Sequence, residues 1–134
     1  MKKTILITGA IIGGSSIIIG AFGAHGLKDL LNPIQLNSFD TGVKYQMYHA
    51  LFLLFISQCN FLNEKALKVI YWTTILGIIF FSFSIYLLAT NDLTSFNFKF
   101  LGPVTPLGGL FLVASWLELL IYSIKINKKS KSRK

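Results

Sequence analysis

The chain has 134 residues, of which 53% are hydrophobic and only 13% charged, with a formal net charge of +8. A soluble domain carries near 25% charged residues, so this chain lacks the side chains to cover an aqueous surface. The positive balance does not point to nucleic acid, because Lys125, Lys128, Lys129, Lys131, Arg133 and Lys134, six of the thirteen basic residues, fall in the last ten positions. They read as a juxtamembrane tail, drawn to anionic lipid headgroups by about 1 kcal/mol per basic residue near the surface.

Four uncharged stretches fill most of the rest: Thr4 to Leu27, Tyr45 to Asn63, Val69 to Asn91, and Phe100 to Ile124, the last interrupted by Glu118. Roughly 20 apolar residues cross a hydrocarbon core of about 30 Å, and the short segments between the stretches leave no room for a soluble domain. The expected fold is all-α, an integral membrane four-helix bundle with short loops. It forms a single domain over residues 1–124, followed by a basic tail over 125–134.

The first stretch imitates a secretory signal, with Lys2 and Lys3 ahead of an apolar run and Ala21-Phe22-Gly23 as a small-x-small site. Gly9, Gly13, Gly14, Ser15, Ser16 and Gly20 interrupt the run, whereas a signal core is a short Leu- or Ala-rich block, so a retained helix is expected. Gly9, Gly13, Ser16, Gly20 and Gly23 recur at spacings of 4, 3, 4 and 3, one seam of small side chains along which a neighbouring helix can approach closely. The seam is expected to face the inside of the bundle rather than a dedicated dimer interface. Thr73, Gly77 and Ser84 repeat it sparsely on the third stretch.

Between the first two stretches, Asn32-Pro33 reads as an N-cap followed by Pro at the first helical position, and Leu36, Phe39 and Val43 recur at helical spacing. An amphipathic segment lying at the outer surface is expected there. Cys59 has no partner in the chain and reads as a small core residue. In the last connection Phe96-Asn97-Phe98-Lys99-Phe100 alternates with period two, which suits an extended piece dipping rings into the interface, and Thr105-Pro106 then starts the fourth helix.

Basic loop residues resist translocation. With four spans, Lys2, Lys3, Lys65, Lys68, Lys125 and the rest of the tail share one side, ten basic residues against Lys28, Lys44 and Lys99 on the other. Both termini should therefore be cytoplasmic.

The blocks Gly20-Ala-Phe-Gly-Ala-His-Gly-Leu27, Tyr45-Gln-Met-Tyr-His-Ala50, Ser84-Ile-Tyr-Leu-Leu88 and Thr105-Pro-Leu-Gly-Gly109 resemble the signature blocks of the domain of unknown function 423 family, whose eukaryotic relatives are the transmembrane protein 256 group. The likeness runs from the first stretch to the last. It implies a small bacterial plasma-membrane protein of four helices and brings no established activity. Placed on the expected topology, all four blocks fall in the outer half, leaving an inner half of Leu, Ile and Phe.

His25, Tyr45, His49, Tyr86 and Thr105 are accordingly expected to surround one outer polar site. Its plain reading is that the histidines hydrogen-bond backbone or hydroxyl groups and fix the helices; haem or metal ligation by His25 and His49, or a small-ligand pocket shared with Tyr45 and Tyr48, are the alternatives. No cofactor is expected. Glu118, the one acid inside a stretch, reads as a hydrogen-bonded or snorkelling structural carboxyl, with a proton or cation relay as the sharper alternative. Trp72 and Trp116 read as interface and packing residues.

No nucleophile and base pair up in the sequence, so the expectation is a non-enzymatic structural, assembly or partner-binding membrane protein. A small transporter or channel acting as an oligomer, and a ligand- or haem-binding bundle, are the alternatives. The expected contacts are the bilayer, anionic headgroups at the tail, and a membrane protein partner or a second copy, without nucleic acid.

Overall fold

A computed structural model describes the backbone of residues 1–131 and the side chains through Lys125; the side chains of the basic tail beyond lie outside the described residues. Among the described residues the chain is helical: α1 (Lys2–His25), α2 (Pro33–Gln58), α3 (Glu64–Ala89, with a π-helical turn at Ile79–Phe83) and α4 (Val104–Lys131).

Helices α1 and α3, and the stretch Lys99–Lys125 that contains most of α4, are long and apolar enough to cross a membrane. The 26-residue α2 is long enough but does not join them, because Asp40, Lys44, Gln46 and His49 interrupt its apolar character.

The expected surface segment before Tyr45 is not separate. Asn32 Oδ1 accepts from the Gln35 backbone N–H at 3.0 Å while Gln35 Oε1 accepts from the Asn32 N–H at 3.0 Å, a reciprocal cap that starts α2 at Pro33 and carries it unbroken past Tyr45. Phe39 and Val43 then face α1 instead of headgroups: a side chain at Gly23 would meet the Phe39 ring, and one at Gly20 would meet Val43 Cγ1 at 3.0 Å. The Phe96 to Phe100 segment forms no strand either. A 3-10 turn occupies Lys99–Leu101, and the Phe98 N–H is drawn into a 2.7 Å bond with Asn91 Oδ1. Phe96 and Phe100 stay exposed.

Antiparallel neighbours pack in chain order, α1 along α2, α2 along α3 and α3 along α4, with no comparably close approach of α1 to α4 among the described residues. The seam of α1 faces α2. At Gly9 a side chain would meet the Ala50 carbonyl at 3.2 Å and Leu54 Cδ2 at 3.0 Å, one at Gly13 would meet Ala50 Cβ at 3.5 Å, and Ser16 is fully buried. Two further glycines make crossings that no small-residue period announces. Gly42 of α2 admits Tyr86 and Ile85 of α3, and Gly108 of α4 lies against the backbone of Phe80 and Phe81 inside the π turn.

Two apolar clusters result. The larger gathers Ile5, Leu53, Ile56, Leu67 and Ile70 towards the ends that hold Lys2 and Glu64; the smaller gathers Leu27, Leu31, Phe39 and Ala89 at the other end. Between them lies a layer of buried polar side chains.

Candidate functional site

Gln46 is the centre of that layer and is 1% exposed. Its Nε2 donates to the Ile12 carbonyl at 3.0 Å and to Ser15 Oγ at 2.9 Å, both on α1, while its Oε1 accepts from the Tyr86 hydroxyl of α3 at 2.8 Å. One amide thus spends both N–H groups and its oxygen on two neighbouring helices. Ser82 Oγ donates to the Gly42 carbonyl at 2.8 Å, a second tie between α2 and α3, and its place on the π turn aims it there. A π turn leaves carbonyls without their usual helical donors. Ser84 Oγ lies 2.6 Å from the Phe80 carbonyl, 3.0 Å from that of Phe81 and 2.6 Å from Thr105 Oγ1, and so links the end of the turn to the start of α4.

The sequence-predicted residues divide around this layer. Tyr86 joins Gln46, and Thr105 joins Ser84. Tyr45 and His49 stack with ring centroids 6.3 Å apart, and Tyr45 also packs on Tyr48 and Phe81. The Trp116 indole N–H donates to His49 Nε2 at 3.3 Å, which leaves the proton on Nδ1 to be donated to the Tyr45 carbonyl at 2.8 Å. Both ring nitrogens of His49 are therefore engaged inside the protein.

His25 does not join them. It is exposed at the end of α1, whereas the α1/α2 register sets Ala50, the neighbour of His49, opposite Gly9 and Gly13. Twelve residues of helical rise separate Gly13 from His25, about 18 Å along the axis, so the similar depth expected for the two histidines does not hold. A two-histidine haem or metal site is not brought together, and the described residues contain no group of three or more His, Cys, Asp or Glu placed to hold a metal.

Glu118 accepts from Thr73 Oγ1 at 3.1 Å through Oε1, while its buried Oε2 has no partner among the described residues. Cys59 caps α2 and is 7% exposed.

Sequence reasoning missed Gln46. It stood inside the Tyr45 to Ala50 block, but a single amide in an apolar run has no periodicity to mark it. The signal was cost: an amide buried in hydrocarbon must find partners, and of the residues three and four away on α2 only His49 has a polar side chain, whose nitrogens the Tyr45 carbonyl and Trp116 take.

Fold and polar layer together define a small helical membrane protein whose buried polar groups tie its helices to one another. The chain belongs to the family described as "Protein of unknown function (DUF423)", which residues 19–109 match. It is 37% identical to the UPF0382 membrane protein SH2409 of Staphylococcus haemolyticus, over 92% of this chain and 97% of that one. Identity is 35% to the UPF0382 membrane protein YwdK of Bacillus subtilis, over 92% and 98%, and 32% to the UPF0382 inner membrane protein YgdD of Escherichia coli, over 98% and 97%. No solved structure matches.

Proposed function

We propose that all four helices span the bacterial plasma membrane as a bundle with both termini cytoplasmic, and that its role is non-enzymatic: a structural, assembly or partner-binding element of that membrane. The observation that carries this reading is the Gln46 network. The central polar side chain is spent on two neighbouring helices, which is how a scaffold uses polarity in a bilayer. The polar half of α2 supports a fourth span, because Gln46 and His49 find partners on neighbouring helices and Asp40 and Lys44 pair with each other. No cofactor enters this reading.

The outer faces of α1 and α4 are the surfaces left for a partner or a second copy, with 17% of each spanning window buried. A photoreactive amino acid at Ile18 or Leu117, both exposed, tests this in the native membrane. Protein adducts at either position are expected; adducts to lipid alone at both would overturn partner binding.

Orientation rests on the ten-to-three division of basic residues. A membrane-impermeant maleimide added to intact cells should label Ser38→Cys and Ser95→Cys, while Glu64→Cys should react only after the membrane is opened. Cys59 gives little background because it is buried. Protection of Ser38→Cys in intact cells would reverse the assignment.

A further inference from the structure

A cleft of about 250 Å³ opens between α1 and α3, where these helices lack the close backbone approach that joins α1 to α2. Thr8, Gln46 and Tyr71 form its polar side, and Ile75, Ile79 and Phe83 its apolar side. Ile79 and Phe83 are 45% and 49% exposed, so the cleft is entered sideways from the lipid.

Its depth follows from helical rise. The Thr8/Tyr71 end lies roughly 10 Å along α1 and α3 from Lys2 and Glu64, and Ile12 and Ile75, which also line the cleft, roughly 15 Å, close to the middle of a hydrocarbon core about 30 Å thick. Charged and zwitterionic headgroups do not reach that depth, because a charge there costs several kcal/mol.

The hydrogen-bond count specifies the occupant further. Gln46 has spent its donors on Ile12 and Ser15. Thr8 Oγ1 and Tyr71 Oη lie 3.2 Å apart, and either can donate to the other. Two hydroxyls share one bond, so among the described residues one O–H proton of the pair has no acceptor, at a place where water is scarce. The complement is a neutral group carrying a carbonyl, small enough for this volume, on a molecule whose tail belongs in lipid. Tyr71 and Phe83 add aromatic surface to the lining, which suits a flat ring.

We infer that the α1/α3 cleft binds the head of a prenylated quinone, its ring carbonyl accepting from the Thr8/Tyr71 hydroxyl pair and its tail leaving between α1 and α3 into the bilayer. Binding alone is assigned. The site is distinct from the partner-binding faces and needs only α1 and α3 to span, so its failure leaves the scaffold reading intact.

The test uses the full chain in nanodiscs titrated with decylubiquinone, a benzoquinone with a ten-carbon tail, read by quenching of tryptophan fluorescence. Trp72 reports locally, with its ring 5.1 Å from that of Tyr71. Saturable quenching near one quinone per chain is expected. Ile79→Phe, which fills the mouth from an exposed position and spares the core, should leave only the linear collisional component. Tyr71→Phe should weaken binding about five- to tenfold while the melting temperature confirms folding. Linear quenching in the unaltered protein, unchanged saturation in Ile79→Phe, or equal displacement of the quinone by didecanoylglycerol would each overturn the assignment.

Discussion

Alanine at Gly108 is expected to destabilise the protein by roughly 2–3 kcal/mol or more, an overpacking cost at the upper end of what extra methyl groups impose on a filled core. The added Cβ would fall within 3.0 Å of the Phe81 Cα and nearer still to other backbone atoms of Phe80 and Phe81. Backbone cannot rotate away as a side-chain end can, so α3 and α4 must separate or the π turn must rearrange. Because Ser84 and Thr105 meet just beyond this crossing, their bond should be lost with it. The control is Gly14→Ala, where nothing lies within 4 Å of the new methyl group. Removing a helical glycine there should be neutral or stabilising by up to about 1 kcal/mol. Thermal unfolding in one detergent measures both; equal melting temperatures for the two variants would mean that α4 does not pack as described.

The angular half of this architecture was legible in the sequence and the axial half was not. A repeat of small residues at spacings of three and four fixes which side of α1 is narrow; Gly9, Gly13, Gly20 and Gly23 do face α2, and Ser16 is buried. Nothing in such a repeat says how far that neighbour slides along the axis. The blocks of His25 and His49 both border the same expected loop, yet the register sets Gly23 against Phe39 and Gly9 against Ala50, carrying the histidines apart. Gly42 and Gly108 escaped for the complementary reason: a single crossing needs one glycine and leaves no period. The π turn is likewise silent in sequence, since Ile79-Phe80-Phe81-Ser82-Phe83 would serve equally well in an ordinary apolar helix. Its effect appears only in three dimensions, where it carries Ser82 towards α2 and presents Phe80 and Phe81 backbone to Gly108. Mean hydropathy along the helices marks α1, α3 and the Lys99–Lys125 stretch and passes over α2, two of whose polar groups, Gln46 and His49, are satisfied by neighbouring helices.

Leucine at Gln46 is expected to cost about 1–3 kcal/mol although it nearly preserves volume and adds apolar surface. In water-soluble cores such a replacement can be neutral when every partner is replaced with it. Here the partners stay: the Tyr86 hydroxyl loses its acceptor, the Ile12 carbonyl loses a donor additional to its helical one, and Ser15 loses the amide that reached its oxygen. The penalty should fall mainly on Tyr86, whose O–H has no other acceptor among the described residues. A double-mutant cycle separates that share. Tyr86→Phe alone should destabilise the protein, and Tyr86→Phe placed on Gln46→Leu should cost less, with a coupling between about 0.6 and about 1.7 kcal/mol, the average and the maximum found for hydrogen bonds between membrane helices. Strict additivity would show that the two side chains do not interact in the folded protein, and the polar layer would then lose its centre. A coupling at the upper end would instead make the Gln46 to Tyr86 bond the strongest single tie between α2 and α3, at the point where the polar half of α2 is held within the bundle.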